Sequence, residues 1–233
     1  MLHRPRKLDE SPPDLRPGTV TRLVAQQKDM DRVSVYVDDE FAFGCHQNVV
    51  LSNGIRKGVV VTVADQQAAL DADAIYRARS QALKYLSSRP RTEQEIERRL
   101  ADVGFDDRVS AGTLDWLREN GYVDDVDYAE QYAKSRMSAS GYGPERVRRE
   151  LMKRGIDRKL AEGAVQDAYP DEEIEGAAME QAEKRAASLM RSESDPRKRR
   201  KKLMDFLVRR GFGYETARNA SDDALNALEV DDE

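Results

Sequence analysis

The stretch Leu100-Ala101-Asp102-Val103-Gly104-Phe105-Asp106 returns as Leu151-Met152-Lys153-Arg154-Gly155-Ile156-Asp157. It returns again, more loosely, as Leu207-Val208-Arg209-Arg210-Gly211-Phe212-Gly213. Each copy closes a charged run with Leu-x-x-x-Gly-apolar. A phrase that recurs at a period of roughly fifty residues marks a tandem array. It also has a local meaning: the leucine belongs to the apolar side of a helix. The glycine one turn later supplies the left-handed residue that ends the helix without a Cβ penalty.

Outward from the phrase, each copy has a recognisable start. Thr92-x-x-Glu95 is a capping box, in which the hydroxyl takes one orphan amide and the carboxylate reaches back to another. Gly143-Pro144 and Asp195-Pro196 place proline at the first helical position of the other two copies. The pairs Ile96/Leu100, Val147/Leu151 and Leu203/Leu207 give each middle helix one apolar stripe. Downstream, Leu114, Val165 and Ser221 stand in register, as do Leu117, Ala168 and Ala224. The pattern predicts three helices per unit, over 74–88, 93–103 and 107–119, then 126–138, 144–154 and 158–168, then 172–191, 196–210 and 214–228.

Upstream the period changes to two. Thr19–Val24, Val33/Val35/Val37 and Phe41-Ala42-Phe43 alternate apolar and polar around the turn Asp38-Asp39-Glu40, which is a hairpin signature. Gly58–Val63 reads as a further strand. The organisation expected is therefore mainly α: a flexible, proline-rich lead over 1–17, a small β-rich unit over 18–65, three-helix repeats over 66–124, 125–170 and 171–228, and an acidic tail over 229–233.

Composition narrows the function classes. Of the 233 residues, 36% are charged and 39% hydrophobic, lean for one compact core but sufficient for modules that bury their neighbours. The net charge of -5 means that any nucleic-acid contact needs a local basic face. Cys45 is the one cysteine, which excludes an intrachain disulfide and fits a reducing cytoplasm. No apolar run reaches membrane-spanning length, and the polar start has no signal-peptide core. His3, Cys45 and His46 are too few for a closed metal site. The acidic Asp124-Asp125-x-Asp127 reads better as a helix start than as a metal cluster. Phosphate-binding loops and nucleophile elbows are missing. The expectation is a non-enzyme without cofactor or metal.

At this point the residues resemble the RecX family. The likeness rests on Ala82-Leu83-Lys84-Tyr85-Leu86, Arg89-Pro90-Arg91-Thr92-Glu93-x-Glu95, and Leu117-x-x-x-Gly121-Tyr122-Val123-Asp124-Asp125. Tyr128-Ala129 and Arg148-Arg149-Glu150-Leu151-x-x-x-Gly155-Ile156 continue it. Asp38–Phe43 and Gly54–Gly58 resemble the small β extension that some members carry. The resemblance departs in the longer join 186–197 and at Ser221. It implies tandem three-helix modules in an elongated, curved body that lies in the groove of a RecA recombinase filament on DNA. It further implies that filament extension, ATP hydrolysis and strand exchange are blocked, which makes the protein a regulator of DNA repair, recombination and the SOS response. The partner expected is the RecA filament, with DNA contacted inside it, and the protein itself a monomer.

The candidate partner-binding residues are the cations beside each phrase. They are Arg98 and Arg99; Arg146, Arg148, Arg149, Lys153 and Arg154; and Arg197, Lys198, Arg199, Arg200, Lys201, Lys202, Arg209 and Arg210. Arg146, Arg149 and Lys153 have the spacing of one helix face. Repeated on equivalent helices, such cations give a discontinuous positive stripe suited to phosphates or an acidic groove. The plainer alternative is a solvated face with local partners, such as Glu95 with Arg99 and Glu145 with Arg149. Tyr122, Tyr128, Tyr132 and Tyr142 offer stacking faces, but the spacing 128/132 reads more simply as a half-buried helix face.

Two other function classes stay open. One is a stand-alone nucleic-acid-binding repeat protein, against which Asp115, Glu119, Glu162 and Asp167 on the third helices weigh. The other is an adaptor with a purely protein partner. Comparing affinity for naked DNA with affinity for the filament separates them.

Overall fold

The computed structural model describes residues 14–230. Residues 1–13 of the expected lead, with His3, and residues 231–233 of the expected tail lie outside it. The described residues hold four strands and ten helices. By backbone contacts they form two compact units. The first takes residues up to Arg91 together with Ile96–Val123; the second takes Thr92–Glu95 and everything from Asp124.

The first unit opens with β1 (Gly18–Gln26), β2 (Asp29–Val37) and β3 (Glu40–His46), joined as antiparallel neighbours. Val37 pairs with Glu40, so the hairpin turns on Asp38 and Asp39, with φ of 48° and 66°. Two consecutive left-handed residues make the turn whose twist matches the strands, and aspartate tolerates it. A six-residue helix, α1 (Gln47–Ser52), follows. The strand expected over 58–63 is reduced to β4 (Val60–Val61), which pairs with Gly18 and Thr19 at the sheet edge. Thr62 ends it by capping the next helix.

That helix, α2 (Val63–Leu86), begins well before the expected residue 74. Thr62 and Asp65 form a complete capping box, and the added turns bury Gln66, Ala69 and Asp73. These residues are small or polar and give no hydrophobic stripe, which is why the period missed them. Val20, Val35, Phe43 and Cys45 close the sheet side of the core against Ala69. Burial pushes the Cys45 thiol up to about 11, so it behaves as a small apolar side chain.

Asp73 ties the sheet to the helix. Its carboxylate is almost fully buried, pairs with Arg32 at 3.1 Å and with Arg77 at 3.1 Å, and accepts the His46 amide at 2.8 Å. Arg32 also donates to the Gly44 carbonyl at 2.9 Å. Asp73→Asn keeps the shape and removes the charge that two guanidiniums share. It should destabilise this unit by about 2 kcal/mol, the worth of charged hydrogen bonds, seen as a lower urea midpoint; an unchanged midpoint would remove the clamp from the account.

The first repeat continues with α3 (Glu93–Val103) and α4 (Asp107–Glu119). Ile96, Leu100, Leu114 and Leu117 pack with Ala78 and Ala82 of α2. Trp116 packs beside them, as its neighbours in sequence suggest, with the Arg79 guanidinium 4.6 Å from its ring centre.

In the second unit the remaining helices are α5 (Asp125–Ser140), α6 (Pro144–Lys153), α7 (Arg158–Ala168), α8 (Asp171–Ser192), α9 (Pro196–Arg210) and α10 (Tyr214–Val230). Asp124, Asp157 and Asp195 cap their helices by accepting first-turn amides. Val147 and Leu151 fill the core of one repeat with Ala129, Ala133 and Val165. Leu203 and Leu207 do so for the other with Ala178, Ala182 and Ala224. Ser221 is buried there and bonds the Ala217 carbonyl at 2.6 Å, which explains how a hydroxyl replaces the apolar residue of the earlier copies.

Candidate partner-binding face

The phrase glycines are built alike and used differently. Gly104, Gly155 and Gly211 all have φ between 96° and 99°, the left-handed region. A Cβ at Gly104 would meet open space, whereas one at Gly155 would strike Gln94 and one at Gly211 would strike the backbone of Arg146. In the last two copies the phrase is therefore a joint. The end of α6 sits on the start of α3, where Thr92 Oγ1 donates to the Arg154 carbonyl at 2.6 Å and Arg154 pairs with Glu95 at 3.2 Å. The end of α9 sits on the start of α6. There the Gly143 amide donates to the Arg210 carbonyl at 2.9 Å and the Glu145 amide to the Gly211 carbonyl at 3.0 Å. Helix-start amides left over by α6 are thus satisfied by helix-end carbonyls of α9.

Around these joints the candidate cations separate into two sets. Arg146, Arg154 and Arg210 are turned onto tyrosines and carbonyls. The Arg146 guanidinium lies 3.6 Å from the Tyr142 ring centre and Arg154 lies 4.9 Å from that of Tyr132. Arg210 donates to the Ser140 and Gly141 carbonyls at 2.6 and 3.0 Å and lies 4.9 Å from the Phe206 ring. Arg136, which the sequence reading passed over, stands 4.8 Å from Tyr132. The spacing Tyr132/Arg136, one helical turn on α5, and the same separation Tyr142/Arg146 across the start of α6 were the signal for these pairs. Tyr128 and Tyr132 stack at 5.9 Å and pack against the repeat core, as their spacing suggests.

Glu150 anchors this group. It accepts from the Tyr132 hydroxyl at 2.5 Å and from Arg146 at 3.0 Å, with Arg136 at 3.7 Å. Partial burial raises its pKa, but those hydrogen bonds and the two guanidinium charges outweigh that and hold the carboxyl below the ordinary glutamate range. A depressed folded-state pKa gives stability that is complete above the unfolded value of about 4.3 and is lost as pH falls through the folded one. Glu150→Gln should therefore lower stability by about 1–2 kcal/mol at pH 7. The loss should shrink as the pH of the melting experiment drops from about 5 to 3. A loss independent of pH would contradict the assignment.

The second set points outward. Arg98, Arg149, Lys153, Arg197, Lys198, Arg200, Lys201, Lys202 and Arg209 are exposed. Some have partners: Arg200 with Asp222, Lys202 with Glu193 at 2.6 Å and Lys198 with Asp195 at 4.0 Å. The face expected to carry Arg146, Arg149 and Lys153 together is divided, because Arg146 turns to Tyr142 while Arg149 and Lys153 stay in solvent. Half-buried Arg148 pairs with the Glu145 carboxylate, so the pairing expected of Arg149 reaches only the Glu145 carbonyl, at 3.2 Å. Glu95 takes Arg154, from far along the chain, and Arg99 lies 5.9 Å from the Tyr85 ring. Arg199, half-buried, donates toward Met190 Sδ.

Comparison with known proteins follows the same divisions. Residues 18–62 match the family profile described as the regulatory protein RecX N-terminal domain. Residues 78–126, 124–165 and 171–220 match the first, second and third three-helix domains of RecX. Regulatory protein RecX of Clostridium acetobutylicum is 31% identical over 198 residues, covering 84% of this chain and 92% of the relative. That of Listeria monocytogenes is 29% identical over 216 residues, covering 92% and 78%. The solved structure described as crystal structure of regulatory protein RecX has a TM-score of 0.70 at 25% identity, covering 88% of this chain and 98% of that one. RecX from Lactobacillus salivarius superposes with a TM-score of 0.59 at 28% identity, covering 66% and 97%.

Proposed function

The chain belongs to the RecX family of regulatory proteins, and from that premise we propose that it binds a RecA recombinase filament on DNA and restrains it. In this reading it is a cytoplasmic, monomeric, non-enzymatic regulator that blocks filament extension, ATP hydrolysis and strand exchange. The observation that carries the reading is the outward set of cations on equivalent middle helices, Arg149 and Lys153 on α6 and Arg197, Lys201 and Arg209 on α9. Lys153 and Arg209 hold the same place relative to the phrase leucine and the other cations extend the basic surface of each helix, so individually weak ion pairs to phosphate or to acidic filament surface add as avidity. The inward set serves differently: by filling the joints it fixes where the outward cations stand.

Affinity for preformed filaments should fall as salt rises, on the order of a hundredfold between about 50 and 200 mM if about five phosphates are met. Affinity for naked DNA under the same conditions should be much lower. Equal affinity for naked DNA would favour the stand-alone nucleic-acid reading, and salt-independent binding would remove the electrostatic contact. No helix of the described residues is long and apolar enough to cross a membrane.

A further inference from the structure

The first unit holds a groove that the partner-binding reading does not use. It has a volume of about 580 Å³ and lies among the start of β2, the end of β3, α2 and the phrase residues Val103 and Phe105. That volume is in the range of small-molecule sites. Its two walls differ in chemistry. On α2, Arg77, Ser80, Gln81 and Lys84 fall at i, i+3, i+4 and i+7, one stripe about 10 Å long with a cation at each end. Facing them on β2 are the exposed carboxylates of Asp29 and Asp31.

The base of the groove is preorganised. Two guanidiniums, Arg32 and Arg77, share the single buried carboxylate of Asp73, so the clamp itself carries one formal positive charge, and the groove's other charges, Lys84 on α2 and Asp29 and Asp31 on β2, stand apart from it. Arg32 is fixed further by the Gly44 carbonyl, so it is not free to swing out. Aromatic surface lines the same space. His46 stacks on Tyr76 with ring centres 3.9 Å apart, and the Phe105 ring lies 6.0 Å from the Arg77 guanidinium. Lys84 is exposed at the open end of the stripe.

We infer that this groove is a binding site for a nucleoside phosphate. The phosphates take the cationic stripe, where an anion neutralises the excess charge over Asp73 and Lys84 closes on the far end. The base stacks on the aromatic surface, since every base offers a π-face. Asp29 and Asp31 accept hydrogen bonds from ribose hydroxyls or an exocyclic amine.

The intact protein titrated with ATP and with ADP in a calorimeter tests this. Saturable one-to-one binding of the mononucleotides is expected. Lys84→Glu should weaken it tenfold or more, and the double variant Gln81→Glu/Lys84→Glu should abolish it; both changes lie at solvent-facing or half-buried positions outside the Asp73 clamp. Lys201→Glu on α9 should leave mononucleotide affinity unchanged. The inference is overturned by no saturable binding at millimolar nucleotide. It is overturned equally by binding that survives the double variant in a folded protein, or by binding that Lys201→Glu weakens as much as Lys84→Glu does. Nucleotide binding does not depend on the RecA reading, so either can fail alone.

Discussion

Gly211→Ala should lower the stability of the second unit by roughly 3–4 kcal/mol, combining about 1–2 for a side chain in the left-handed region with the rest for overpacking. The overpacking arises because the added Cβ falls on the backbone of Arg146, where α9 meets the start of α6. Nothing flexible stands there to move aside. The Gly143 and Glu145 amides, which donate to the Arg210 and Gly211 carbonyls, would lose their partners if the helix end withdrew. Gly104→Ala is the control. It has the same φ of 99° and open space around the new atom, so it should cost about 1–2 kcal/mol from backbone strain alone. Urea unfolding of the two variants measures the difference. Equal losses would mean that at Gly211 the phrase is a helix terminator and not a joint.

The second large effect concerns binding. Reversing both charges in Arg149→Glu/Lys153→Glu should abolish the proposed restraint of RecA while leaving the helical signal and melting midpoint intact. Both side chains are exposed on α6, and neither contributes to the repeat core. Surface charges of this kind contribute about 0–1 kcal/mol to folding but much more to a repeated electrostatic contact. Arg146→Glu should behave in the opposite way. It removes the cation beside Tyr142 and Glu150, so it should reduce stability first. Full inhibition by the Arg149/Lys153 variant would remove α6 from the interface.

How much of this was legible in the sequence follows from the range of each interaction. The Leu-x-x-x-Gly phrase, the capping residues Thr92, Asp124 and Asp195, and the i,i+4 leucine pairs act within one or two turns, so the repeats and nearly all helix limits could be read directly. The start of α2 could not, because its buried face carries Gln66, Ala69 and Asp73 in place of an apolar stripe. The strand at 58–63 was overestimated because Gly58 has a φ of 89° and Thr62 is already the N-cap of α2, which leaves Val60 and Val61 between them.

The candidate face divides along the same line. Lysine and arginine spacing identifies a basic helix but not which cations the fold occupies. Arg154 is taken by Glu95, Arg200 by Asp222 and Arg210 by the carbonyls of Ser140 and Gly141, all far apart in sequence. Tyrosine one turn from arginine on α5 and beside α6 was the readable hint. The role of the phrase glycines as joints was not readable, since it depends on which helix start each one meets.

The most direct test of the central claim adds the purified protein to RecA filaments already formed on single-stranded DNA, and follows ATP hydrolysis together with filament length by electron microscopy. The account predicts a dose-dependent fall in ATP hydrolysis and shorter filaments, both lost in the Arg149→Glu/Lys153→Glu variant. Unchanged hydrolysis and unchanged length at saturating protein would contradict it.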